Sequence, residues 1–195
     1  MVETEVKIRF AGTPRNAHEI IERAGYSVIE PRTLEADQTF DHPNADLLAA
    51  DHLLRLRRSG ARFTVTYKGP AAKGRFKSRE EIEFDVSDAE AFELVLDRLG
   101  YQPRFRYEKY RTKFAAGDSS GIVTIDETPI GVFLELEGPV DWIDQTADRL
   151  GFSHAEYCTA SYAALYREYL QLHEGAPANM VFDSGRLQEN DKKDT

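Results

Sequence analysis

The sequence predicts an α+β protein built on an antiparallel sheet or barrel. Three observations predict it. About eight stretches alternate apolar and polar residues with the period of two that a half-buried strand requires. Two pairs of these stretches are joined by connections too short for anything but hairpins. Only four stretches show helical spacing with caps.

The first strand is VETEVKIRF (2–10). LEADQTFD (34–41) is a weaker candidate. HLLRLRR (52–58) and RFTVTYKG (62–69) flank a short turn containing Gly60, the first hairpin. SREEIEFDV (78–86) and RYEKYRTKF (106–114) alternate strongly. GIVTIDET (121–128) and GVFLELEG (131–138) flank Pro129-Ile130, the second hairpin. Helices are expected at 13–25, with Thr13 as N-cap and Pro14 at the first position, and at 87–100, with Ser87 and Glu90 as a capping box. Two more are expected at 141–151 and 159–172. Three of them end alike, in ERAGY, DRLGY and DRLGF, with a glycine stop. One domain is expected over 1–174, with a flexible tail over 175–195 in which MVF (180–182) is the stretch able to dock.

Composition excludes several classes. Of 195 residues, 41% are hydrophobic, enough for a core. A net charge of −9 argues against a general nucleic-acid binder, whose surface must be basic, yet permits a local basic pocket for a small anion. The single cysteine, Cys158, excludes an internal disulfide framework and reads as a small buried hydrophobe. No apolar run approaches the roughly 18 residues of a membrane span, and the N-terminus has no signal or transit pattern. A cytoplasmic location is the expectation. The five histidines lack metal-pair spacing, and no Walker loop, GxGxxG or GxSxG occurs.

The chemistry lies in the charged faces. Residues i and i+2 of a strand share a face. One face of the first strand carries Glu3, Glu5, Lys7 and Arg9; later strands present Arg55 and Arg57, then Thr66 and Lys68. Arg79, Glu81 and Glu83 follow, then Lys109 and Arg111, then Asp126, and last Glu135 and Glu137. A sheet with one wet face would produce the same alternation. If the sheet closes, however, that face becomes an interior, and its charges need partners or ligands. Bases would grip a polyanion, and carboxylates would hold a hard divalent cation such as Mg²⁺ or Mn²⁺. A nucleotide or inorganic triphosphate with its metal suits both.

The motifs resemble, in order, those of the CYTH proteins, or triphosphate tunnel metalloenzymes. Glu3-x-Glu5-x-Lys7 resembles their ExExK signature, LRLR (54–57) their LRxR strand, TYKGP (66–70) their TxKxP, and SREEIEF (78–84) their RxExE element. EKYR (108–111), IDETPIGVFLELEG (125–138) and SYAALY (161–166) resemble the later elements, with Ile130-Gly131 where Leu-Gly is usual. The resemblance spans about residues 2–170. It implies a closed eight-stranded antiparallel barrel whose tunnel holds a triphosphate and Mg²⁺ or Mn²⁺. It implies that Glu3, Glu5, Asp126, Glu135 and Glu137 bind metal, and that Lys7, Arg55, Arg57, Lys68, Arg79, Lys109 and Arg111 bind the triphosphate. Glu3, Glu5, Lys7 and Glu135 would carry catalysis.

The family includes class IV adenylyl cyclases, thiamine triphosphatases and inorganic triphosphatases. The run RLGYQPRFRYEKYRTKF (98–114) is similar to the cyclases, whereas Glu137 is shared with the phosphatase branches. The reading leans to ATP cyclisation over hydrolysis of tripolyphosphate or thiamine triphosphate. A non-catalytic polyphosphate binder is the third alternative, and five carboxylates argue against it. A small-molecule triphosphate is the expected partner, with no nucleic acid and no membrane. The reading admits a homodimer. Tyr162 and Tyr166 share a helical face and are read as a closure for one tunnel mouth.

Overall fold

A computed structural model of the chain describes residues 1–72, 74–117 and 120–183. Nine strands form one antiparallel sheet: β1 (Val2–Phe10), β2 (Ser27–Asp41), β3 (Leu53–Ser59), β4 (Arg62–Lys68), β5 (Lys77–Val86), β6 (Gln102–Ala115), β7 (Ile122–Thr128), β8 (Gly131–Glu137) and β9 (Tyr157–Cys158). Their order is β5-β4-β3-β2-β6-β7-β8-β1-β9, and β1 also pairs with β5. That last pairing closes eight strands into a barrel, and β9 extends β1 beyond it. The helices are α1 (Pro14–Arg23), the single turn α2 (Asp46–Ala49), α3 (Ala89–Arg98), α4 (Val140–Leu150) and α5 (Tyr162–Leu172). No helix among the described residues is long and apolar enough to cross a membrane.

The barrel is apolar outside and charged inside. Val6 and Ile8 of β1 are fully buried outside the barrel, under α1 and α4, with Ile125, Leu134 and Leu136. A second cluster, Leu56, Val65 and Leu96, lies under α3; a third, Phe133, Tyr162, Leu165 and Met180, lies under α5. Helices α1, α3 and α4 therefore supply hydrophobic core against the outer face, whereas Phe133, which shares the inward face of β8 with Glu135, packs with Tyr162 of α5 inside the wall.

The repeated helix endings share one geometry. Gly25, Gly100 and Gly151 have φ of 89°, 87° and 87°, and the next residue's N–H donates to Ile21, Leu96 and Ala147 carbonyls. This is the bond pattern of a Schellman cap, which needs a left-handed residue that glycine supplies without strain.

Several boundaries differ from the expectation. β2 begins at Ser27, not 34, because bulges between Val28 and Thr33 break its alternation. The N-cap of α3 is Asp88, whose side chain accepts from Ala91 N–H, rather than Ser87. α5 starts at Tyr162 behind the cap Ser161, not at 159. β9 and α2 are too short to leave a periodic signature. The expected tail is docked as far as Phe182, whose N–H donates to Glu108 Oε2. Tyr166 Oη donates to the Pro177 carbonyl, and Met180 exchanges backbone bonds with Arg106 and Glu108 of β6. Residues 184–195 of that tail lie outside the described residues.

Candidate active site

The inward-facing residues enclose a cavity of about 200 Å³. Nine Lys and Arg and six Glu line it. Of the residues singled out above, Glu3, Glu5, Lys7, Arg55, Arg57, Lys68, Arg79, Lys109, Arg111, Glu135 and Glu137 all line this one space. Asp126 does not; it stands behind the wall, fully buried.

The strand register explains the neighbourhoods. Lys7 faces Glu135 and Glu5 faces Glu137 across β1–β8, while Glu3 faces Arg79 and Glu5 faces Lys77 across β1–β5. Directly opposed residues have Cβ atoms about 5 Å apart, so opposite charges attract and like charges repel. Lys7 Nζ lies 3.1 Å from Glu135 and 3.4 Å from Glu5. Glu135 also takes Arg111 Nη2 at 2.5 Å. Burial opposes ionisation of Glu135, but Arg111 and Lys7 outweigh it and hold the carboxyl well below its usual range. Burial opposes Glu5 too; Lys7 and Lys77 overcome it and hold Glu5 at about 2. Lys68 pairs closely with Glu81, its cross-strand neighbour.

At the end of the cavity near Glu3 the balance reverses. Burial, then the charges of Glu137 and Glu81, push Glu3 up to about 8. Burial, then Glu135 and Glu5, push Glu137 up. These carboxylates lack enough positive neighbours. Among the described residues, no three Asp, Glu, His or Cys side chains converge at metal-ligand spacing in this arrangement. The donor set of Glu3, Glu5 and Glu137 nonetheless fits a divalent cation. All three line the cavity, Glu3 and Glu5 from β1 and Glu137 from the adjacent β8, and all are hard oxygen donors.

The cation end is held from behind. Asp126 accepts from Lys109 Nζ at 2.8 Å, from Arg111 Nε at 2.6 Å and Nη2 at 2.5 Å, and from Tyr162 Oη at 2.6 Å. Expected as a metal ligand, it has its lone pairs engaged by bases and a phenol. Tyr162 also lies beneath Lys7 and Lys109, each 5.2 Å from its ring centre. Tyr162 therefore reaches the cavity wall, whereas Tyr166 bonds to Pro177 on the outside. Asp37 grips Arg57 with two bonds, Nε to Oδ1 at 2.8 Å and Nη2 to Oδ2 at 3.1 Å.

Sequence reasoning missed Lys77, Glu35, Asp37 and Tyr107. Lys77 continues the Arg79–Glu81 face one step back, and burial followed by Lys7 lowers it to about 8. Glu35 and Asp37 alternate in LEADQTFD, a stretch whose inward face went unassigned. Two buried donors on the wall, Arg55 Nε and Arg79 Nε, make no aligned hydrogen bond among the described residues; Asp37 Oδ1 lies 3.4 Å from the first and Glu81 Oε1 3.5 Å from the second.

Comparisons with known proteins agree with this architecture. The CYTH domain family model matches residues 1–151. A protein of Methanocaldococcus jannaschii named "putative adenylate cyclase" is 30% identical over 145 residues, 74% of this chain and 81% of that one. A Vibrio parahaemolyticus structure, likewise named, superposes with a TM-score of 0.73 at 20% identity, covering 88% of this chain and 98% of its own. A Hippeastrum structure superposes with a TM-score of 0.60 at 17% identity, covering 86% and 96%. The last two show the shared fold.

Proposed function

The chain belongs to the CYTH family, and from that premise we propose that it is a divalent-metal-dependent enzyme that binds a triphosphate inside its barrel and cuts one of its phosphoanhydride bonds. One observation carries the reading. The barrel interior is a wall of Lys and Arg on which two buried guanidinium N–H donors, Arg55 Nε and Arg79 Nε, make no aligned hydrogen bond among the described residues, although carboxylates stand 3.4 and 3.5 Å away. An unsatisfied buried donor is costly, and a phosphate oxygen would satisfy it.

The residues divide the work. Lys7, Arg55, Arg57, Lys68, Arg79, Lys109 and Arg111 bind and straighten the chain of phosphates, and Lys77 joins them. Phosphoryl and nucleotidyl transfer depend chiefly on such positioning and charge neutralisation. Glu3, Glu5 and Glu137 would hold Mg²⁺ or Mn²⁺, which supplies charge neutralisation and a lowered pKa for an oxygen nucleophile. Glu135 keeps Lys7 and Arg111 aimed into the cavity. Asp126 and Tyr162 do the same for Lys109 and Arg111.

The first reading of the bond cut is adenylyl cyclisation. The ribose 3′-hydroxyl of ATP would attack the α-phosphorus, and pyrophosphate would leave. The name of the 30% identical relative favours it. The second is hydrolysis of tripolyphosphate or thiamine triphosphate, with water as nucleophile. The cavity wall favours that one: nine of its residues are Lys or Arg, which match phosphates, and six are Glu, which leaves little apolar surface for a nucleobase. The Hippeastrum protein, named a "putative adenylyl cyclase", is described as having a dominant triphosphatase activity.

Chromatography of products tests the proposal. The protein is incubated with ATP, thiamine triphosphate or tripolyphosphate, each with Mg²⁺ or Mn²⁺. Cyclic AMP with pyrophosphate supports the first reading. Orthophosphate without cyclic AMP supports the second. No product from any substrate overturns the enzyme reading.

A further inference from the structure

Three carboxylates stand behind the cations without lining the cavity: Glu35, Asp37 and Asp126. They offset the surplus of positive charge on the wall in front of them. Two of them also fix directions. Asp37 forms the paired bonds to Arg57, and Asp126 those to Lys109 and Arg111.

Glu35 differs. It is 6% exposed, opposite Lys109 in the β2–β6 register. Its Oε2 lies 3.0 Å from Arg57 Nη1, 3.6 Å from Lys109 Nζ and 3.9 Å from Arg111 Nε. Yet no donor among the described residues makes an aligned hydrogen bond to that oxygen. Each of the three cations has a better-placed partner elsewhere: Asp37 for Arg57, Asp126 for Lys109, and Asp126 with Glu135 for Arg111. Burial opposes its ionisation, but Arg57, Lys109, Arg111 and Arg55 outweigh it and hold Glu35 at about 2. Glu35 thus gives three cations a charge but gives none of them a direction.

We infer that Glu35 is an internal counter-charge that holds the barrel's grip on polyphosphate below its maximum. The inference rests on the triphosphate reading above. Removing the charge while keeping the shape leaves the cations anchored but under-neutralised. The free protein then carries an unpaired buried positive charge, which a polyanion relieves on binding.

The test is Glu35→Gln, with Glu35→Asp as the charge-keeping control. Tripolyphosphate binding is measured by calorimetry in EDTA, and the thermal midpoint is measured with and without the ligand. Glu35→Gln is expected to bind on the order of tenfold more tightly than wild type, because one negative charge behind the cations that grip the anion is gone. Its free form should melt lower and gain more on saturation. Pyrophosphate inhibition should strengthen in parallel, and KM should fall. Glu35→Asp should stay within about threefold of wild type, since the charge remains.

A purely structural Glu35 predicts the opposite sign, weaker binding in Glu35→Gln, and that result overturns the inference. Wild type that binds while Glu35→Gln binds no tighter overturns this inference alone. Wild type that fails to bind tripolyphosphate in EDTA overturns the inference, and wild type that fails to bind it with Mn²⁺ as well overturns the triphosphate reading too. A Glu35→Gln chain that folds only in tripolyphosphate supports the inference; one that fails to fold even at saturation overturns it.

Discussion

Asp126→Asn separates two roles that a carboxylate in this barrel can have. The wild-type side chain is fully buried and accepts from Lys109, from Arg111 twice and from Tyr162. Asparagine keeps one oxygen for Tyr162 but turns an NH₂ donor towards Lys109 or Arg111, and it removes the negative charge that both share. Arg111 retains Glu135, so the disruption falls mainly on Lys109, whose next carboxylate is Glu35 at 3.6 Å. Breaking one side of a buried ion pair costs about 3–5 kcal/mol. For a chain of this size each kcal/mol moves the midpoint by about 2–4 °C, so the metal-free protein should melt about 6–20 °C lower. Tripolyphosphate should return part of that, since its oxygens replace the lost acceptor. Thermal unfolding in EDTA, with and without tripolyphosphate, reads both. A metal-free midpoint within about 2 °C of wild type, joined to collapsed Mn²⁺ affinity, would show that Asp126 is a metal ligand and that the reasoning from its engaged lone pairs is wrong.

Other outcomes follow from the same geometry. Glu5→Gln should lose at least about a hundredfold in metal-dependent turnover, since a charged oxygen donor is gone; turnover near wild type would remove Glu5 from the ligand set. Arg79→Met should weaken tripolyphosphate binding by about tenfold or more, the worth of one charge-assisted hydrogen bond, with a smaller change in the midpoint, because its Nε makes no aligned hydrogen bond and its ion-pair partner Glu81, 3.5 Å away, keeps Lys68. An equal loss of stability would make Arg79 structural. In EDTA, stability should decline as pH rises from about 5 to 8. Glu3 titrates near 8 when folded and near 4.5 when unfolded, so the stability it confers is complete below 4.5 and lost as pH passes 8. Glu137 acts in the same direction. Saturating Mn²⁺ should flatten that slope, and a slope unchanged by metal would argue that these carboxylates do not share a cation.

What the sequence displays is the alternation, and alternation says which residues share a face but not whether the face is wet. In β1 the set Glu3, Glu5, Lys7 is equally consistent with a solvated sheet; only the β1–β5 pairing, residues 2–5 against 77–80, makes it an interior. The ordered motifs supplied that closure by resemblance, so the wall residues were legible from Glu3 to Glu137. Depth was not. Asp126 and Glu135 occupy equivalent inward positions on neighbouring strands, yet one stands behind the cations and the other among them, because Tyr162 reaches in from α5 to cover Asp126. A helix contact made 36 residues downstream leaves no local trace at Asp126. Glu35 and Asp37 were lost for a related reason. The bulges of β2 interrupt its pattern just before them, and a broken period hides which face they share. The inner layer of counter-charge is therefore a tertiary property. Identical inward carboxylates become ligand, anchor or counter-charge according to which cations the neighbouring strands and α5 set beside them.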